Sequence, residues 1–276
     1  MMGFLQWLRA KLSFHGNILA PPLGPLDRLV SEAHGHLVAE EYDEARVLLL
    51  QALRSRDDVN EPATIDYLLM SLETSWMLTE KFEEGISFFS SYLGRYPGDS
   101  AAFGGRAGLL WYSGRLEEAI QDFTRSLELD PNRILSLSGR GQVLAEVGRG
   151  EEALRDLDLA LPILNKRQVP LPGWMVWYTA IEAFVHNGRG FALAVLGQNG
   201  HAMAEFDQSI NLCPENAWVY HNRAQVYDRA GDRKQAISDY ERALAKKGPA
   251  LNPIRKMHAE RRLKEILDQA EDTRAL

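Results

Sequence analysis

Several groups in this 276-residue chain have residue types that could do chemistry. His34 and His36 would be metal ligands if they shared a face. Two apart on a helix, they point away from each other and cannot hold one ion. Gly139-Arg140-Gly141 and Gly188-Arg189-Gly190 look like fragments of a phosphate-cradling loop. That chemistry needs a further glycine at the right place and a preceding strand, and neither is present. Glu83-Glu84, Glu117-Glu118 and Glu151-Glu152 are paired carboxylates. Each pair opens a predicted helix, where acids favour the positive terminus, a structural use. No constellation supports catalysis, and no cofactor or metal is implied; the chain is expected not to be an enzyme.

The elements that carry these residues repeat. Gly114–Pro131 reads as a turn, an amphipathic helix and a proline stop. Anchored on Ala119, Gly114 lies five before, Phe123 four after and Pro131 twelve after. The same grammar surrounds Ala45, Gly85, Ala153, Ala202 and Ala236. From Gly85 to Ala119, Ala119 to Ala153 and Ala202 to Ala236 the step is 34 residues each time. Such a period means stacked supersecondary units, none of which can bury its apolar face alone. Thirteen before the anchor stand Arg106, Arg140, Arg189 and Arg223; three after it stand Asp122, Asp156, Glu205 and Asp239. The first two units lack both partners, so base and acid come and go together. The expectation is a structural ion-pair ladder.

Bulk properties narrow the class further. The net charge of −7 argues against nucleic acid as a partner, because that needs a basic footprint. One cysteine, Cys213, excludes an internal disulfide and fits a reducing compartment. A soluble, cytoplasmic protein is expected, with peripheral membrane attachment as the variant. Residues 1–25 stand apart: Phe4, Leu5, Leu8 and Leu12 share a helical face, Arg9 and Lys11 are its charges, and a Pro-rich linker follows. An insertion at 162–182 holds Pro162, Pro170 and Pro172, read as a loop, then Trp174, Met175, Trp177 and Tyr178, which begin an over-long helix or form a docking knob. After Pro253 a terminal helix reads as a solvated cap, with Met257, Leu263, Ile266, Leu267 and Ala270 as its apolar residues. Residues 1–26 carry +2 and residues 246–264 carry +6, so the remainder carries −15. That layout favours an acidic partner or a membrane surface at one end.

A 34-residue helix–turn–helix ending in Pro, with small–x3–aromatic in its second helix, resembles the tetratricopeptide repeat. The resemblance covers residues 26–250. It implies an all-α fold, a right-handed α-solenoid of six units near 26–59, 66–99, 100–133, 134–165, 183–216 and 217–250, with residues 251–276 as cap and tail. It also implies a concave groove lined by first helices, 18, 15, 14, 11, 8 and 7 residues before each anchor. Here those places hold Tyr67, Met70 and Met77; Trp111 and Tyr112; Gln142; Phe184 and Phe191; Trp218, His221 and Asn222. Chaperone-binding members grip a terminal carboxylate with Lys, Asn and Arg. Only Asn222 and Arg229 remain here, which disfavours that ligand. Gly104, Gly105 and Gly108 each cost about 1 kcal/mol relative to Ala; they either admit a close-approaching ligand or relieve crowding in the stack. The implied function is a scaffold or adaptor holding an apolar peptide or amphipathic helix of another protein, which the chain's own first 15 residues could mimic. A membrane-anchored scaffold is the alternative, and homo-oligomers are compatible with either.

Overall fold

The computed structural model describes residues 25–55, 62–166, 172–246 and 253–275. The N-terminal amphipathic segment and the side chains of Trp174, Met175, Trp177 and Tyr178 lie outside the described residues. Among those described there are thirteen helices and no strand. They run α1 (Pro25–Ala39), α2 (Tyr42–Arg54), α3 (Pro62–Leu78), α4 (Phe82–Arg95), α5 (Ser100–Tyr112), α6 (Leu116–Leu129) and α7 (Ile134–Glu146). Then come α8 (Gly150–Lys166), α9 (Pro172–Val195), α10 (Asn199–Leu212), α11 (Ala217–Arg229), α12 (Arg233–Ala245) and α13 (Pro253–Ala275). The chain divides between Arg140 and Gly141, within α7, into two compact units.

One turn is used six times. Gly114, Gly148, Gly197 and Gly231 adopt φ between 77° and 86°. Each caps its helix with the αL residue that ends a Schellman motif. Arg115 N–H reaches back to Leu110 C=O at 2.9 Å while Gly114 N–H bonds Trp111 C=O at 3.0 Å. The first two hairpins have Glu40 and Glu80 in this place, at φ 67° and 57°. Their backbone pairing is the same: Glu41 N–H to His36 C=O at 2.9 Å, and Lys81 N–H to Trp76 C=O at 3.0 Å. The tertiary pairing therefore imposes αL on a residue that disfavours it. Asp99, Asn216 and Asp232 cap the starts of α5, α11 and α12 by accepting backbone N–H bonds, satisfying donors the helix cannot.

The repeated small and large residues meet in the core. Ala45, Ala119, Ala153, Ala202 and Ala236 are fully buried, and so are Leu49, Phe89, Leu157, Phe206 and Tyr240. Phe89, Phe123, Leu157 and Phe206 each lie against a glycine backbone sixteen residues away. A side chain at Gly105 would come 2.7 Å from the Phe89 ring, and one at Gly139 would strike the Phe123 ring. Gly141 is equally close to Leu157, and Gly190 to Phe206. Gly188 is 3.1 Å from Leu157, 31 residues away, which is sixteen plus the insertion's fifteen. Of the two uses open to Gly105, the protein's own packing takes it. The insertion is absorbed mainly by α9, 24 residues long against 13 for α5, α7 and α11. Two of the three prolines read as a loop, Pro162 and Pro172, belong to helices. Pro162 lies inside α8, near its end, where a missing N–H affects only the last turns.

Gly105→Ala is expected to cost about 1–3 kcal/mol by overpacking against Phe89. Gly114→Ala should cost about 1–2 kcal/mol through αL strain, whereas Glu80→Gly should relieve strain of that kind. Urea denaturation of the three variants checks the order.

Candidate partner-binding site

The Arg–acid row is structural. Arg106 clamps Asp122 with Nε at 2.6 Å and Nη2 at 2.8 Å, and a third nitrogen donates to Ser90 at 3.1 Å. Arg223 clamps Asp239 at 2.7 and 3.1 Å and reaches Asp207 at 2.8 Å. Arg189 pairs with Glu205 at 3.2 Å and with Asp158. Each arginine thus joins the second helix of its own hairpin to that of the preceding one. Arg140 donates to Thr124 of the preceding hairpin at 3.0 Å. Burial is deepest at Asp239, whose side chain is 2% exposed, so a lost partner there strands a charge. The first hairpins solve the problem differently. Arg46 of α2 donates to Ser75 of α3 and to Thr79 just after it, and pairs with Asp43.

In residues 25–140 the inner helices are α1, α3, α5 and the start of α7. Tyr67, Met70 and Met77 of α3 and Tyr112 of α5 are half-buried, while Trp111 is 3% exposed. Tyr67 hydroxyl and His34 Nδ1 lie 2.9 Å apart. Burial pushes the tyrosine pKa up and the histidine pKa down, so both are neutral. Trp111 meets Tyr112 edge to face at 5.8 Å. Among these residues lies an acid outside the expected groove places, Glu73. Burial raises its pKa to about 8, opposed by the charge of Arg133. Arg133 is engaged with Asp66 at 3.0 Å. A side chain at Gly108 would strike the Glu73 carboxylate, and one at Gly104 would come 3.0 Å from Ser136 Oγ.

In residues 141–275 the expected groove places are tied to the protein itself. Gln142 donates to Phe184 C=O at 3.0 Å, Asn187 donates to Gln142 at 3.3 Å, and Asn222 donates to Asn187 at 3.1 Å. His221 Nε2 continues this line to His258 Nδ1 of α13 at 3.1 Å. Trp218 lies under the Arg255 guanidinium at 3.8 Å, a cation–π contact. Arg255 also pairs with Glu146 of α7, and Arg262 clamps Asp228 at 2.9 and 3.0 Å. Phe184 is half-buried, 6.2 Å from Trp218, and Phe191 is buried. The terminal helix therefore docks through Arg255, His258, Ala259, Arg262 and Ile266. Two of its apolar residues, Met257 and Leu267, are exposed.

Sequence reading missed Glu73, Arg133, Arg255 and His258 as parts of these faces. One signal existed for Glu73: twelve before the anchor, the other units have Ala33, Ala107, Gly141, Gly190 and Ala224. Among the described residues there is no cluster of metal-binding side chains. Nor is any described helix long and apolar enough to cross a membrane.

Known proteins show the same pattern. Tetratricopeptide repeat family profiles match residues 101–133 and 205–245. Tetratricopeptide repeat protein 36 of Bos taurus is 47% identical over 55 residues, covering 20% of this chain and 29% of that protein. Its Caenorhabditis elegans counterpart is 35% identical over 60 residues, 22% of this chain and 34% of that protein. The chain thus spans about a third or less of these relatives. By fold, it is similar to a chain of the APC/C hetero-tetramer Cut9–Hcn1, with TM-score 0.65 and 17% identity over 95% of this chain and 46% of that one. It is also similar to a tetratricopeptide repeat protein of Parabacteroides merdae, with TM-score 0.50 and 19% identity over 88% and 98%. The chain is a tetratricopeptide repeat protein, an all-α protein of solenoid class. Proteins of this fold serve in general as protein-interaction scaffolds.

Two pH effects follow. Burial and His258 bring the His221 pKa down to about 4, and burial, Arg261 and Arg262 lower that of His258. In the unfolded chain both return to about 6.5. Depressed histidines contribute stability that is full above about 6.5 and is lost as pH falls toward 4. His258→Gln should flatten that acid limb in urea titrations. Glu73 behaves oppositely, its cost growing from about pH 4.5 to 8. Glu73→Gln should therefore match wild type near pH 4.5 and exceed it increasingly up to pH 8, by at most about 1.4 kcal/mol per pH unit.

Proposed function

We propose that this protein is a non-catalytic scaffold that holds an apolar or amphipathic segment of a partner protein on the inner helices of residues 25–140. The observation that carries this reading is the contrast between its two inner faces. Tyr67, Met70, Met77 and Tyr112 keep part of their surface exposed. Trp218, His221 and Asn222 are at most 4% exposed and are engaged by α13 and neighbouring inner helices. A partner-binding surface needs large apolar side chains whose remaining area can still be buried. Phe184 and Phe191 serve packing in this reading, and Gln142 serves the polar line. Cut9–Hcn1, a hetero-tetramer by its description, is in keeping with a role of this kind.

The test is affinity purification from native extract, comparing wild type with Met77→Glu/Tyr112→Ser and with Val47→Ser, a control at a 65% exposed site on α2. The reading expects a co-purifying protein lost at least tenfold in the double variant and kept in the control, with both variants melting as wild type. Unchanged recovery in the double variant contradicts it.

A second reading, peripheral attachment to a membrane, is favoured by one observation. Ile254 and Met257 are 48% and 64% exposed on α13, alongside the exposed Lys256, Arg261 and Lys264. An apolar and basic face suits an anionic lipid surface. Flotation with phosphatidylserine vesicles at low salt tests it: the protein rises with the vesicles if the reading holds, and stays at the bottom if it does not.

A further inference from the structure

Glu73 is out of keeping with everything the repeat requires. Its place, twelve before the anchor, takes Ala or Gly in the five other hairpins, where a small residue lets paired helices approach. Here a carboxylate stands, and the next first helix is cut away to admit it: a Cβ at Gly108 would fall on Glu73 Oε1. The residue as a whole is half-buried, and its carboxyl end lies against α5 at Gly108. No hydrogen bond or ion pair among the described residues reaches it. Of the basic groups on α2, α5 and the segment before α7, Arg133 acts on it by charge alone, and each makes its hydrogen bonds elsewhere. Arg133, before α7, pairs with Asp66; Arg46 of α2 is held by Asp43, Ser75 and Thr79; Arg106 of α5 is clamped on Asp122. An acid placed this way has no structural return that the repeat explains.

Its flanks point to what it serves. Met70 is three residues before Glu73 and Met77 four after, so all three share one stripe of α3. Both methionines are half-buried, as is Tyr112 on α5. The stripe therefore reads apolar, acidic, apolar.

We propose that Glu73 recognises a cationic side chain, a lysine or arginine carried within an otherwise apolar peptide segment, on the inner face of residues 25–140. This rests on the scaffold reading above and adds the charge that the partner must bring. A buried carboxylate and an incoming cation form a charge-assisted hydrogen bond in a poorly solvated place, where such bonds are strong. A neutral apolar segment would leave the carboxyl without a partner, so the acid discriminates between segments of equal apolarity. Because burial holds the carboxyl near pKa 8, cation binding must release its proton to solvent. Affinity for the cation then rises with pH toward about 8, by up to about tenfold per pH unit.

The experiment uses the full chain and two synthetic peptides, acetylated and amidated: Leu-Ala-Leu-Lys-Leu-Ala-Leu and its counterpart with central Gln. Titration calorimetry follows both at pH 6, 7 and 8, to millimolar peptide, with wild type and Glu73→Gln. Glutamine matches glutamate in shape and removes a buried charge, and thermal melting verifies that the variant is folded. Wild type is expected to prefer the lysine peptide at least tenfold at pH 8, with the preference shrinking toward pH 6. Glu73→Gln is expected to bind the two peptides alike at every pH. Equal binding by wild type, or a lysine preference that survives Glu73→Gln, overturns the cation site and leaves the scaffold reading standing. Binding of neither peptide overturns the cation site and counts against the apolar inner face as well.

Discussion

The structure depends on one contact, the seat of large second-helix residues against a backbone stripped of side chain. Phe89 against Gly105, Phe123 against Gly139 and Leu157 against Gly141 and Gly188 all show it. A single hairpin exposes that residue, and only the next hairpin's first helix can finish burying it. The cost of a helical glycine, about 1 kcal/mol, is accepted because the close approach returns more in buried area. The arginine row works on the same interval, tying second helices through the first helix between them. Packing and ion pairs thus share one geometry, which is why the fifteen extra residues before α10 change the sequence interval and leave the contact in place.

That geometry has consequences for function. Residues consumed in stacking cannot also serve a partner, so specificity falls to places the stack leaves unused. On residues 25–140 those places are the half-buried methionines and tyrosines of α3 and α5, with Glu73 among them. On residues 141–275 the corresponding places are engaged by a polar line from Gln142 to His258 and by the guanidinium over Trp218. Similar inner helices therefore have different chemical fates within one chain.

The fold was legible because its determinants are local and periodic. Ala119, Phe123 and Gly114 name their own roles once the 34-residue step is seen. Glu40 and Glu80 could take the turn place without glycine because the surrounding pairing imposes the backbone. The candidate site was legible only in part. Counting names candidate groove positions, but it cannot say that Trp218 would be covered by Arg255, because that contact depends on how α13 docks. The terminal helix was legible as a cap, but its contacts were not: Arg255, His258 and Arg262 make much of its docking face, since their acceptors and rings lie on α7 and α11. Glu73 was visible as a broken rule at a small-residue position; its lack of a hydrogen-bonded partner was not, because that depends on where Arg46, Arg106 and Arg133 make their bonds.

Oxidative footprinting of the free full-length chain by hydroxyl radicals tests the central contrast most directly, since it reads side-chain access residue by residue. The account predicts ready labelling of Met70 and Met77 and protection of Trp218 and His221. Labelling of Trp218 as fast as Met77 would contradict it.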